Sequence, residues 1–266
     1  MKRAVFAVAV AASLAAAAEE TEGLVKDEKS PVSVSASVDV LSDYVWRGTI
    51  CNENPVWQPS ATLSYDAGDL GSISAAVWGS FDATHKRGTA TRSRRACGCQ
   101  EIDYTLSYAN SIGPVGVEAG HIWYMFPNGN GSGTEELYAT VSYENSVVTP
   151  SASAYWDYSD TAGNDVSAVY FSFALSREFS LTDELTVTPS ASLGFADHAY
   201  TDSRGGAELT DQTIGVSAAY AVTENVSLGA QINYTWTPSH TLRKEGYMGE
   251  GEHQLVWGGV NVTLTF

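Results

Sequence analysis

His253-Gln-Leu-Val-Trp-Gly-Gly-Val-Asn-Val-Thr-Leu-Thr-Phe266 reads as a β-strand, because residues of alternating character follow one another with a period of two. One row consists of Val256, Gly258, Val260, Val262, Leu264 and Phe266, and the other of Leu255, Trp257, Gly259, Asn261, Thr263 and Thr265. A strand at the end of a chain leaves N–H and C=O groups unpaired unless another strand lies beside it. We therefore expect this strand to close a sheet into a barrel.

The same alternation recurs from residue 32 onward in twelve segments of about ten residues, counting the terminal one. In the first segment Val32, Val34, Val38 and Val40 share a face, and Ser33, Ser35, Ser37 and Asp39 share the other. Apolar residues that face lipid and polar residues that face a lumen are typical of membrane barrels. The pattern predicts an all-β fold, a single 12-stranded antiparallel transmembrane β-barrel over residues 32–266.

The connections between these segments alternate in length. The short ones are residues 66–71, 110–114, 144–146, 177–183 and 222–225, and the longer ones are 48–54, 83–100, 127–133, 159–164, 197–210 and 237–252. Outer-membrane barrels have short periplasmic turns and longer extracellular loops. We therefore expect the N-terminus to lie on the periplasmic side, and the even strand count returns the C-terminus there.

The first 18 residues have the features of a secretory signal peptide, with Lys2 and Arg3 before an apolar run and a cleavage site near Ala18. An acidic periplasmic lead-in follows over residues 19–31. Removing the signal leaves 12 basic residues against 31 acidic ones, a net charge near −19, which argues against nucleic acid as a partner. These features predict export to the outer membrane of a Gram-negative bacterium.

A secreted soluble β-sandwich or lipocalin-like barrel is the alternative fold, and its apolar rows would face inward. Aromatic residues concentrate near the segment ends, at Tyr44, Trp46, Tyr65, Phe81, Tyr108, Tyr143, Trp156 and Tyr220. Such residues form girdles at the two membrane interfaces of transmembrane barrels. This distribution favours the membrane barrel.

Two motifs carry a family resemblance. Residues 42–48 read Ser-Asp-Tyr-Val-Trp-Arg-Gly, with Asn54, Pro55 and Gln58 soon after, and residues 123–127 read Trp-Tyr-Met-Phe-Pro before Glu-Glu-Leu-Tyr at 135–138. Together they resemble the TorF family of porins, which implies an outer-membrane, channel-like barrel. The terminal strand ending at Phe266 also resembles the signal by which such barrels engage the barrel-assembly machinery.

Acidic residues recur in the row that parity assigns to the lumen: Asp39, Asp43, Asp82, Glu101, Asp103, Glu118, Glu136 and Asp157, with Arg47 as the one basic residue of these segments. An enclosed acidic wall concentrates cations and repels anions, so a pore here would favour cations. The alternative is that the carboxylates only hydrate the lumen or pair with Arg47. We expect Arg47 to meet an acid on a neighbouring strand.

The second long loop is basic, with Lys86, Arg87, Arg92, Arg94 and Arg95 within ten residues. This cluster could fold inward as a constriction against the acidic wall. It could instead lie outward and bind lipopolysaccharide phosphates, or remain a solvated loop without a ligand. The sequence does not distinguish among these three.

Cys51, Cys97 and Cys99 all fall in loops that we place at one rim. In an oxidising compartment Cys51 could form a disulfide with Cys97 or Cys99 and join the first two long loops. A metal site from Cys97, Cys99 and His85 is the weaker alternative, because zinc sites normally use other spacings and four ligands. We predict no metal and no cofactor.

The sequence therefore predicts a porin-like channel for passive diffusion of small hydrophilic solutes or ions, and not an enzyme. A structural or adhesive barrel would instead have its lumen blocked by bulky residues such as Trp78, Trp257, Tyr124 and Tyr138. An enzyme would need a nucleophile beside a base. His121 is the only histidine in the interior of a predicted strand, and it faces no serine on the adjacent segments. We therefore expect His121 to be a membrane-interface residue near the rim.

Overall fold

The computed structural model describes residues 30–83, 101–127, 133–145, 147–159, 167–197, 207–239 and 253–266. Within these ranges no helix has the length and apolar character needed to cross a membrane. The strands are β1 (Val32–Leu41), β2 (Tyr44–Trp46), β3 (Thr49–Asn52), β4 (Val56–Asp66), β5 (Ser72–Asp82), β6 (Glu101–Ile112), β7 (Val115–Met125), β8 (Thr134–Tyr143), β9 (Thr149–Asp157), β10 (Ala168–Ser176), β11 (Phe179–Ser180), β12 (Leu185–Ala196), β13 (Glu208–Ala221), β14 (Val226–Trp236) and β15 (Gln254–Thr265).

Twelve of these strands form a closed antiparallel barrel, which confirms the predicted fold. Each of the twelve pairs with its neighbours in chain order, β10 pairs with β12, and β15 pairs with β1 to seal the cylinder. At the seam Val38 lies opposite Val262, and Phe266 and Val34 exchange backbone hydrogen bonds of 2.8 and 2.9 Å. The terminal strand therefore pairs along both edges, as its position required.

The outer surface of the barrel is apolar. Large side chains of one parity stand out from the wall, among them Leu106 at 59%, Ile214 at 60% and Phe173 at 50% exposure. Val260 belongs to the same outward row, and Val262 lies in that row between Val38 and Leu228 on the adjacent strands. An apolar exterior of this extent indicates a barrel whose wall faces lipid.

Hydroxyl groups line much of the interior and pair across neighbouring strands. The oxygen–oxygen distances are 2.9 Å for Ser37 with Ser60, 2.8 Å for Ser64 with Ser74, 2.8 Å for Thr140 with Ser153 and 2.9 Å for Thr213 with Thr235. Either member of each pair can donate the hydrogen bond. The predicted division into an apolar outer face and a hydroxyl-rich inner face is therefore present along the wall.

The two rims differ as the connection lengths predicted. The short-turn rim carries the beginning of β1, the end of β15 and the turns between β4 and β5 and between β6 and β7. The turns between β8 and β9, between β10 and β12 and between β13 and β14 also lie at this rim. The long-loop rim carries the other connections, including residues 42–55 between β1 and β4. The predicted signal peptide and most of the lead-in lie outside the described residues, so those two predictions stay open.

The first of the long connections is folded differently from the prediction. We expected the first strand to continue through Arg47, with a loop over residues 48–54. The strand instead ends at Leu41, and residues 44–52 form a separate hairpin of β2 and β3. Its two-residue turn consists of Arg47 and Gly48, both with positive φ (48° and 77°), as in the tight hairpin turns whose twist matches antiparallel strands.

Candidate functional site

The β2–β3 hairpin enters the barrel and contacts its inner wall on several sides. On the near side Leu41, Tyr44, Cys51 and Val56 form a buried apolar cluster. Trp46, Trp78 and Trp257 pack against this cluster, the last two from the inward rows of β5 and β15. The part of the lumen beside β1, β4, β5 and β15 is therefore filled by side chains.

The tip of the hairpin crosses to the opposite wall. Arg47 donates two hydrogen bonds of 2.7 Å, one to each carboxylate oxygen of Glu136 on β8. The side chains of Arg47 and Glu136 are only 7% and 3% exposed. We expected Arg47 to pair with an acid on a strand next to β1. That prediction is wrong, because β8 lies five strands from β1 around the wall. The hairpin, which the alternation pattern could not indicate, carries Arg47 across instead.

Aromatic rings surround the Arg47 guanidinium. Its central carbon lies 4.4 Å from the ring centroids of Trp46, Tyr155 and Tyr170. Tyr124 donates a 2.8 Å hydrogen bond to the same Glu136 carboxylate. A cation stacked on aromatic faces and bound to a carboxylate at two points is held in one geometry.

Gly48, the next residue of the turn, packs closely against β13 and against the residue that follows β14. Thr237 donates a 2.9 Å hydrogen bond to the Gly48 carbonyl oxygen. A Cβ at position 48 would lie 2.7 Å from the Cβ of Asp211 and 3.0 Å from the Thr237 hydroxyl oxygen. Only glycine fits both the positive φ and this close approach.

Several of the predicted lumen acids bind the hairpin. Asp82 accepts hydrogen bonds from the side-chain amides of Asn52 and Asn54 at 3.3 and 3.4 Å. Glu101 accepts one from the hydroxyl of Tyr44. With Glu136, three acids of the wall are therefore occupied in seating the hairpin.

The other predicted acids are distributed along the wall. Asp39 accepts a 3.1 Å hydrogen bond from Asn261, Glu118 accepts one from Tyr138, and Asp157 accepts one from Thr134. Asp103 shares the inward row of Glu101, and its Oδ1 atom has no hydrogen-bond partner among the described residues. Asp43 lies in the bend between β1 and β2 and belongs to no barrel strand, because β1 ends before it.

Sequence reasoning missed Asp211, which lies beside the hairpin tip. Its carboxylate accepts hydrogen bonds from Tyr170 at 3.1 Å and Thr210 at 2.8 Å. The sequence predicts a connection over residues 197–210, whereas β13 begins at Glu208. Asp211 has the parity of the inward residues Thr213 and Ser217, so a signal was present in the sequence. Leu209 interrupts that row, because the pairing of β13 with β12 shifts register between Gly194 and Phe195.

A polar vestibule of about 970 Å³ opens at the short-turn rim. Its lining comes from β1 and β4 to β8 with their turns, and includes Ser33, Ser64, Asn110, Glu118, Thr140, Ser142 and Glu144. Space of this size is in the range of sites that accept small solutes.

Two predicted groups lie outside the described residues. They are the basic cluster of Lys86, Arg87, Arg92, Arg94 and Arg95, and the pair Cys97 and Cys99. Cys51 lies on β3 and is 1% exposed. The predicted disulfide and the predicted roles of the basic loop stay predictions.

A polar group that contains His121 lies on the outer wall near the long-loop rim. His121 Nε2 lies 3.0 Å from a Glu135 carboxylate oxygen and 2.8 Å from the Tyr158 hydroxyl oxygen, and Tyr158 donates to Glu135 at 2.6 Å. That hydrogen bond to Glu135 raises the pKa of Tyr158, which lies beyond the end of β9. His121 thus contacts a carboxylate and a phenol, and the serine–histidine pair of an acyl-transfer enzyme is not formed by these contacts.

Sequence comparison identifies one family. A family model described as "Bacterial protein of unknown function (Gcw_chp)" matches residues 26–246. No protein of curated function has a significantly similar sequence. The name TorF is not part of these findings, so that resemblance stays a prediction.

Structure comparison finds outer-membrane barrels at low sequence identity. An outer membrane channel from Pseudomonas putida F1 has a TM-score of 0.50 and 10% identity, over 92% of this chain and 98% of that one. The KdgM porin in complex with disordered oligogalacturonate has a TM-score of 0.49 and 9% identity, over 88% and 99%. Outer membrane phospholipase A from Escherichia coli has 0.46 and 11%, over 87% and 92%. The first similarity supports the barrel fold, and the other two are too weak to carry an argument.

Proposed function

The chain belongs to the bacterial Gcw_chp family, and from that premise we propose that it is a porin-like channel of the outer membrane. Small hydrophilic solutes or ions would diffuse passively through the barrel, without a chemical step or a cofactor. The observation that carries this proposal is the polar vestibule of about 970 Å³ at the short-turn rim. A closed wall with an apolar exterior and a hydroxyl-rich interior offers such solutes a path through lipid.

The exterior supports the location. A wall with an apolar outer face and all strand edges paired is suited to lipid, and exported barrels of this kind occur in bacterial outer membranes. The short-turn rim would then face the periplasm. Lipopolysaccharide around the long-loop rim and the barrel-assembly machinery at the strand ending in Phe266 are the partners we propose.

We also propose that the channel prefers cations. Asp39, Glu118 and Asp157 point inward and add negative charge to the lumen. Arg47 is a basic side chain inside the lumen, but its charge is already paired with that of Glu136. The enclosed negative charge should therefore raise the local concentration of cations.

A structural barrel with a blocked lumen is the second candidate, because one observation favours it. The hairpin, together with Trp78 and Trp257, forms a buried apolar cluster in part of the interior. Such a cluster could serve only to stabilise the wall. An enzyme is less well supported, since the contacts of His121 provide a base without a nucleophile beside it.

Conductance across planar lipid bilayers tests the proposal. The purified, refolded protein should insert with discrete current steps, and a tenfold KCl gradient should give a reversal potential of the sign for cation preference. Protein that inserts, as shown by protease protection, but conducts no current would favour the structural barrel. A reversal potential of the opposite sign would contradict the cation preference alone.

Neutralising three lumen acids tests the source of that preference. The triple variant Asp39→Asn, Glu118→Gln, Asp157→Asn should lower the ratio of cation to anion permeability by about half or more, because it removes charge from the enclosed wall. The matched control Glu178→Gln, Asp183→Asn, Glu224→Gln removes three acids from the short turns, outside the lumen, and should change the ratio little. Equal effects of both variants would locate the selectivity elsewhere.

A further inference from the structure

The β2–β3 hairpin is a separate element that is covalently joined to the barrel only at its base. It leaves β1 after Leu41 and rejoins the wall at Val56 in β4, a neighbouring strand of the same rim. The two strands of the hairpin pair with each other and with no barrel strand. Its position across the lumen therefore depends on side-chain contacts and not on the backbone ladder of the barrel.

The contacts of the tip differ in kind from those of the base. At the base, Tyr44 binds Glu101 and Asn52 binds Asp82, each through a neutral donor. At the tip, the charged Arg47 binds both oxygens of a carboxylate in a site that is almost closed to water. Removal of one partner of such a pair leaves a buried charge uncompensated, which destabilises the arrangement strongly.

The tip also holds a conformation that needs support. Arg47 has φ of +48°, a region that residues with a side chain rarely occupy, and Gly48 lies against Asp211 and Thr237. A strained residue keeps its conformation only when its surroundings fix it. Here the surroundings are Glu136 and the rings of Trp46, Tyr155 and Tyr170. Loss of the Arg47–Glu136 pair should therefore release the hairpin as a unit.

We infer that Arg47 is the selectivity-determining residue of the channel, because it latches the hairpin across the lumen and neutralises Glu136. This inference rests on the proposed function. With the hairpin seated, the passage is narrow and the charge of Glu136 is cancelled. With the hairpin released, the passage widens and Glu101, Glu136 and Asp211 face it without their hairpin contacts, so conductance and cation preference both rise.

Thiol labelling of Cys51 reports the position of the hairpin independently of transport. Cys51 lies on β3 and is 1% exposed, so a seated hairpin should protect it from a charged maleimide. The background carries Cys97→Ser and Cys99→Ser, so the label reports on Cys51. In this background Arg47→Gln should raise the labelling rate about tenfold or more. A tenfold increase corresponds to a change of about 1.4 kcal/mol in the free energy of hairpin release. The matched control is Arg177→Gln, which removes a basic residue at the short-turn rim and should leave the labelling rate of Cys51 unchanged.

The same variants are then compared in planar bilayers. Arg47→Gln should show larger single-channel conductance and a stronger cation preference than the background, and the swapped pair Arg47→Glu with Glu136→Arg should restore part of both values. Heat-dependent gel migration verifies that each barrel is folded and closed. If the single variant does not fold, the swapped pair still tests the proposal, because it keeps an ion pair between positions 47 and 136.

The outcomes separate the two proposals. Unchanged Cys51 labelling in a folded Arg47→Gln barrel would overturn the latch. Faster labelling with unchanged conductance and selectivity would overturn the role of Arg47 in selectivity. Faster labelling with no conductance in any protein, including the background, would overturn the channel function and leave the latch in place.

Discussion

Phe173→Lys is expected to lower the free energy of unfolding of the barrel by about 2–4 kcal/mol, the cost of a basic residue on the lipid-facing side near the bilayer midplane. Phe173 stands in the middle of β10, is 50% exposed on the outer surface and packs edge-on against Phe195 at 6.1 Å. Its replacement would place an ammonium group where hydrocarbon chains should lie. The effect is large because such a group has no polar partner there.

The adjacent residue supplies the control. Ser172 has the opposite parity and lies opposite Ser153 and Gly194 on the inner wall. Ser172→Lys should cost less than about 1 kcal/mol, because lumen positions tolerate polar groups. Both values come from urea titration of refolding into phospholipid vesicles, followed by tryptophan fluorescence. Equal losses for the two variants would mean that the outer surface does not face lipid.

Gly48→Ala is expected to displace the hairpin tip, since the added methyl group would lie 2.7 Å from the Cβ of Asp211. The positive φ at this position adds about 1–2 kcal/mol for any residue with a Cβ. Overpacking of a fixed wall adds about 1–3 kcal/mol more. The total exceeds what one hydrogen bond from Thr237 can offset and is of the same order as the cost of breaking the buried Arg47–Glu136 pair, so the tip should leave its seat.

Gly68→Ala separates the steric part of this effect from the backbone part. Gly68 also has a positive φ, of 64°, but a Cβ there would meet nothing within 4 Å. Its substitution should cost about 1–2 kcal/mol in urea titration and leave the reactivity of Cys51 unchanged. Gly48→Ala should lower stability further and expose Cys51 to maleimide. Equal behaviour of the two variants would show that the close contact with Asp211 has no energetic importance.

The barrel could be predicted from the sequence because its signal is repeated. Each wall strand alternates in character, and the short turns, such as residues 222–225, interrupt the pattern where the chain reverses. Closure followed from the last strand, whose pairing with β1 leaves no open edge. This alternation alone was sufficient to predict that Asp39, Glu118 and Glu136 face inward. The predicted tenth strand began too late, because the polar residues at the start of β13 resemble a loop.

The hairpin could not be predicted in the same way. Tyr44, Val45 and Trp46 continue the alternation of β1, so the pattern alone extends the first strand. What redirects the chain is the Arg47–Gly48 turn together with partners that are distant in sequence, Glu136 and Thr237. Contacts of this kind depend on the closed barrel, because the wall brings residues that are distant in sequence together.

The paired hydroxyl groups of the inner wall would affect how solutes interact with the proposed channel. In pairs such as Ser37 with Ser60 and Thr140 with Ser153, either oxygen can donate. Rotation of two hydroxyl hydrogens reverses such a bond while every heavy atom stays still. A sugar or an amide in the lumen would thus meet hydroxyl groups that can switch between donating and accepting a hydrogen bond by rotation of the O–H bond, as water molecules can. The proposed channel should then discriminate among uncharged solutes by their molecular width and hardly by the arrangement of their polar groups.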